Sequence, residues 1–146
     1  GATNGLSRAA DETMRKPMNA RSERVRLPRS TNAPRAARAF VRELQSRWNL
    51  SAETHDTCQL LVSELVSNAV LHGSGDVSVL VMECAHDGVR VEVRNQGAGL
   101  PVMRDARRED LSGRGLRLVD ELAAHWGIDA RDGSTLVWFE THPRLS

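Results

Sequence analysis

Polar and apolar residues alternate over residues 23–28 (ERVRLP) and the stretch closes on Pro28, the pattern of a short edge strand. From residue 31 the interval lengthens. Ala36, Phe40, Val41, Leu44 and Trp48 recur at helical spacing to residue 49, behind a cap-like Thr31-Asn32 and with Pro34 near the first turn. Ser51 is a good N-cap for a second helix, and Thr54 would serve equally; the helix runs to about His72 and is stopped by Gly73-Ser74-Gly75. Residues 77–84 and 89–94 read as strands joined by a turn at His86-Asp87-Gly88. Residues 96–113 are rich in glycine and charge. Residues 116–124 form a short helix, and 126–130 and 134–141 a final hairpin around Asp132-Gly133. The order β-α-α-β-β-loop-α-β-β predicts helices on one face of a mostly antiparallel sheet, an α+β two-layer sandwich. Residues 1–22 hold little periodic apolar content and read as a flexible leader, and 142–146 as a tail.

Three features of this pattern carry chemistry. On the second helix, Glu64 and Asn68 lie one turn apart on one line, and His72 continues it one turn further. Cys58, Leu61, Val62, Leu65, Val66, Ala69 and Val70 sweep about half the circumference on one side, with Leu60 and Leu71 on the other. A carboxylate set among such residues needs a partner, water or a ligand, unless the line is simply the exposed stripe of an amphipathic helix. His72 also suits a helix end, where the dipole favours a cation. The second feature is Gly97 and Gly99 after the strand, which permit close backbone approach to a ligand or merely a turn. The third is Gly113-Arg114-Gly115 just before a helix. There, free N–H groups and a guanidinium fork suit a phosphate, the alternative being a flexible loop.

Taken in order, these features resemble the GHKL ATP-binding superfamily, shared by gyrase, the heat-shock chaperone ATPase, histidine kinases and mismatch-repair proteins. Within it the chain is most similar to the small stand-alone anti-sigma-factor serine/threonine kinases of bacteria. SELVSNAVLHG matches the N box, NQGAG the first glycine box, GRGLRLVDELA the second and TLVWFE the closing strand, so the likeness covers about residues 23–141. The resemblance implies a Bergerat-type ATP-binding fold, with ATP and Mg²⁺ as cofactors. It implies Glu64 as general base and Asn68 as the Mg²⁺ ligand, with His72 counted in the nucleotide set. Gly97 and Gly99 would close on the adenosine. Gly113, Arg114, Gly115 and Leu116 would hold phosphates, residues 103–112 would form the lid, and Thr135 would lie near adenine. It also implies the partners: a sigma factor, and an antagonist of the STAS type phosphorylated on Ser or Thr. A homodimer through the exposed sheet edge is expected as well.

One position departs from the family pattern. The first glycine box ordinarily begins with Asp, which accepts a hydrogen bond from the adenine amino group; here it begins with Asn95. The amide oxygen still accepts, but without charge, and charge-assisted hydrogen bonds are roughly twice as strong as neutral ones. The amide also has a donor to offer, which leaves an altered base preference open. Two readings follow: a kinase that binds a sigma factor, and a non-catalytic partner-binding regulator whose nucleotide pocket is weak or lapsed.

Composition narrows the classes further. The 146 residues suit one domain, 40% hydrophobic and 27% charged. No apolar run approaches the roughly 18 residues of a membrane helix, and the N-terminus lacks a signal-like apolar stretch, so no membrane partner and a cytoplasmic location are the expectation. Cys58 and Cys84 form no close pair, against a disulfide or zinc site. Lys16 is the only lysine, which excludes a P-loop. Residues 1–50 hold 11 Lys+Arg against 4 Asp+Glu, and the rest 9 against 15. That basic third raises nucleic acid as a partner, but 3% aromatics and no Tyr leave little for base stacking, and the reading is disfavoured.

Overall fold

The computed structural model describes residues 20–96, 113–131 and 133–143. Strand β1 (Ser22–Leu27) leads into helices α1 (Ala33–Trp48) and α2 (Ala52–His72). Strands β2 (Ser74–Glu83) and β3 (Val89–Gln96) follow, then α3 (Gly113–Leu122), β4 (His125–Arg131) and β5 (Ser134–Glu140). The strands form one open antiparallel sheet in the order β1-β2-β3-β5-β4, so the first strand is an edge, as its proline-terminated pattern predicts. Among the described residues, three α-helices cover one face, and the fold is the expected α+β two-layer sandwich.

Alternation explains the packing. Val77, Val79 and Val81 of β2, Val89, Val91 and Val93 of β3, and Val137 and Phe139 of β5 sit at alternate positions and point to the helices. They meet Ala37, Val41 and Leu44 of α1 and Leu61, Val62, Leu65 and Val66 of α2 in one core. Fully burying each such side chain is worth roughly 1.5–3 kcal/mol. A one-residue slip would turn every valine to the other face, so the core also fixes the register.

The helix ends follow local chemistry. Asn49 ends α1 in the left-handed region at φ 57°, its N–H returning to the Gln45 carbonyl. Ser51 Oγ caps α2 by accepting from the Thr54 N–H at 3.1 Å. On the sheet face away from the helices, the Arg90 guanidinium lies 4.1 Å from the Trp138 ring centroid and bonds Glu92 and Glu140, each at 3.0 Å. Burial works against the charge of Arg90, yet the bonds to these two carboxylates hold its pKa above the ordinary value.

Several boundaries differ from the sequence expectation. β2 begins at Ser74 rather than residue 77, because a register shift lies between Ser74 and Val77, where Gly75 takes φ 73°. β3 runs on to Gln96, because Asn95 and Gln96 still pair with Thr135 and Ser134. The expected turn at 86–88 is a short 3-10 segment, Ala85–Asp87, with His86 at φ 61°.

Candidate functional site

The C-terminal half of α2 stands over the ends of β3 and β5. Helical spacing brings Asn68 and His72 to one side of α2, and strand alternation brings Asn95 and Thr135 to the helix-facing side as cross-strand neighbours. These four line one cleft, together with Leu65, Ala69 and Gly73 of α2, Val93 of β3, Val137 of β5 and Leu116 of α3. Asn95 is 7% exposed and Thr135 3%. His72 Nε2 and Thr135 Oγ1 are buried with no hydrogen-bond partner, although buried polar atoms are ordinarily satisfied. Two orphaned polar atoms in one apolar-walled cleft mark a place that a polar ligand would complete.

The cleft is narrow. Its water-accessible space is about 20 Å³, on the order of one water, although the open space reaching its mouth is about 400 Å³. A roomier hollow of about 690 Å³ lies at the opposite end of α2, between Glu53 and Thr57 on one side and Glu121 and His142 on the other. Its buried hydroxyls are already bonded, Thr54 to Ser51 and Thr141 to the Val89 N–H. Volume therefore favours the first end of the helix, whereas two of the four unsatisfied buried side-chain atoms among the described residues, His72 Nε2 and Thr135 Oγ1, lie in the narrow cleft. The other two are His55 Nε2 and Glu140 Oε1.

Asn68, His72, Asn95, Leu116 and Thr135, five of the expected site residues, thus share one cleft. Glu64 is one turn earlier on α2, half-buried, outside the lining and already engaged in an interaction within the protein. Its flank differs from expectation: Leu60 and Leu71 are 41% and 67% exposed, so the Glu64 line runs between the core and a solvent-facing ridge. Gly113, Arg114 and Gly115 form the first turn of α3 rather than preceding it. Gly97, Gly99 and the expected lid at 103–112 lie outside the described residues.

Sequence reasoning took Gly73 as a helix stop and as the last residue of the N-box match, and missed its place in the cleft. A Cβ built there would fall 2.1 Å from Asn95 Nδ2 and 2.8 Å from Asn95 Cγ. The Asn95 amide occupies the space that a side chain at 73 would need, and its nitrogen donates to the Gln96 carbonyl at 3.1 Å. The apolar walls, Leu65, Val93 and Val137, were legible only as core positions.

The donor set also limits which metal the cleft suits. Among the described residues, no cluster of three or more His, Cys, Asp or Glu is arranged to hold an ion. Asn68 offers one amide oxygen, which suits an ion that takes most of its ligands from water and substrate phosphates, as Mg²⁺ does.

A helical layer over an antiparallel sheet, with this apolar-walled cleft between α2, α3 and the strand ends, is the architecture of an ATP-binding α+β domain of the GHKL type. The chain belongs to the histidine kinase-like ATPase domain family, whose model matches residues 27–141. Among solved structures, the RsbU and RsbW domains of Rv1364c from Mycobacterium tuberculosis align over 86% of this chain at 21% identity and a TM-score of 0.64. This chain spans 34% of that one. A chain of the SiaB–SiaC complex from Pseudomonas aeruginosa aligns over 93% of this chain and 95% of its own length, at 14% identity and a TM-score of 0.55. At these identities the likeness is one of fold. Among curated proteins none matches. No helix among the described residues is long and apolar enough to cross a membrane.

Proposed function

We propose that the chain is an ATP-dependent regulator of the anti-sigma kinase type, which binds a sigma factor and phosphorylates a Ser or Thr of an antagonist protein of the STAS type. The observation that carries the reading is the pair of orphaned buried atoms, His72 Nε2 and Thr135 Oγ1, in the cleft beside Asn95 and Asn68. Family membership supports nucleotide binding. The fold shared with an RsbW-containing protein and with the SiaB–SiaC complex is consistent with a protein partner.

In this reading Asn95 accepts a hydrogen bond from the adenine amino group and Thr135 completes the base contact. Leu116 and the first turn of α3, Gly113 to Gly115, lie at the phosphates, where a helix N-terminus favours anions. Gly97 and Gly99 approach the adenosine. Asn68 holds Mg²⁺, which supplies charge neutralisation on the phosphates. Phosphoryl transfer needs mainly positioning and electrostatics. The acceptor hydroxyl oxygen bonds to the γ-phosphorus as the bond to the β–γ bridging oxygen breaks, and Glu64 takes the hydroxyl proton.

The test is calorimetric titration with Mg-ATP, followed by transfer from ATP to a STAS-type antagonist. Glu64→Ala should leave nucleotide binding in place and abolish transfer; retained transfer removes Glu64 from the mechanism. The second reading, a partner-binding regulator without turnover, is favoured by Asn95, which places a neutral amide where the family ordinarily has a carboxylate. A wild type that binds no ATP while Asn95→Asp does would establish it.

A further inference from the structure

Gly73 follows α2 where a glycine commonly closes a helix in the left-handed region. That explanation does not apply here: its φ is −105° and ψ −171°, extended backbone that any residue adopts. What the position excludes is volume. A Cβ would stand 2.1 Å from Asn95 Nδ2, 2.8 Å from Asn95 Cγ and 2.8 Å from the Ala69 carbonyl oxygen, and contacts below 3.0 Å force something to move. Most of that conflict is with one side chain, and that side chain is 7% exposed and lines the nucleotide cleft.

The amide it accommodates is held on one side only. Nδ2 lies against Gly73 and donates to the Gln96 carbonyl at 3.1 Å. Rotating the amide by half a turn would set Oδ1 against that carbonyl, two acceptors face to face, so the orientation is fixed. One N–H is committed to the Gln96 carbonyl and the nitrogen lies against Gly73, so the oxygen is the acceptor left for a ligand. A free amide reads donors and acceptors alike. Locked this way, it commits one N–H to the protein and holds its oxygen in one place as an acceptor, which favours a base edge that presents an amino group over one that presents an oxo group.

We infer that Gly73 is a positioning residue that acts through Asn95: by leaving room for the amide nitrogen, it turns a neutral side chain into a one-way reader that selects adenine over guanine nucleotides. The inference rests on reading the cleft as a nucleotide seat. Its test uses four proteins, wild type, Gly73→Ala, Asn95→Ala and the double variant, with Mg-ATP and Mg-GTP titrated into each and urea denaturation run in parallel.

The wild type should prefer ATP. Gly73→Ala should weaken ATP by about five- to tenfold, the loss of one hydrogen bond, with GTP weakened less, so that the preference contracts. The double variant should bind ATP no worse than Asn95→Ala, and the drop in urea midpoint caused by the Ala should be smaller when Asn95 is absent. A merely structural glycine would weaken both nucleotides by the same factor, or its effect would multiply with that of Asn95→Ala; either result overturns the inference. If Gly73→Ala does not fold, recovery of folding in the double variant supports the contact and continued failure overturns it. A wild type that binds neither nucleotide overturns the reading of the cleft, and the specificity role falls with it. ATP binding with no Gly73–Asn95 coupling overturns the inference alone.

Discussion

Cys58 is 1% exposed on the core side of α2, and burial pushes its thiol up to about 12 from an ordinary value of 9.0. The folded chain therefore keeps a proton that the unfolded chain releases above pH 9. Stability present below that pH is lost as the pH rises towards 12, at about 1.4 kcal/mol per unit. The urea midpoint should fall between pH 9 and pH 10.5, and the fall should be largely absent in Cys58→Ala. An equal fall in that variant would rule the thiol out as its cause. Asn68, Asn95 and Thr135 could be picked out in the chain because their residue types sit in recognisable motifs. Gly73 could not be understood there. A glycine after a helix has two possible reasons, left-handed backbone or missing volume, and only its φ and the position of Asn95 separate them.

Helix α2 does two jobs at its two ends. Its first turn is closed by Ser51, and its last two turns carry Asn68 and His72 into the cleft. With 21 residues it is about 30 Å long, so cap and cleft are far apart. Ser51→Ala should cost about 1 kcal/mol in denaturant unfolding and leave the affinity for Mg-ATP unchanged. A matching loss of affinity would mean that the helix transmits strain along its length. The interior of α2 was legible because its apolar residues repeat at helical spacing. The start of α3 was not: Gly113 and Gly115 are poor helix formers, yet the helix begins at Gly113. β2 likewise starts before its alternation does, because ladder bonds can extend where side chains no longer signal a strand.

At the scale of the molecule, the two layers followed from the element order, but the strand order did not. A terminal hairpin can add to a sheet through either strand. β5 lies inside and β4 at the edge because Val137 and Phe139 match Val93 and Val91 across the pair. The uneven charge also resolves in three dimensions. Arg21 pairs with Glu83 and Arg26 with Asp76, so part of the basic first third faces the acidic remainder of the chain. The bond from Arg21 holds the Glu83 carboxyl below its usual range. Exposed pairs of this kind add little stability, and they help to set the first strand against the second.

The tryptophans give this architecture an optical consequence. With three Trp and no Tyr in the chain, ultraviolet emission comes almost wholly from indoles. Trp48 lies beneath Arg21 at 5.3 Å and Trp138 beneath Arg90 at 4.1 Å, while the Trp126 Nε1–H donates to Asp120 at 2.9 Å. None of the three lines the cleft. Each indole is held by a charged neighbour that it loses on unfolding, and under the proposed reading of the cleft none would touch a nucleotide seated there. Intrinsic fluorescence should therefore shift through the urea transition and stay nearly constant as Mg-ATP is added below it. The molecule carries its own reporter of integrity, one largely blind to occupancy.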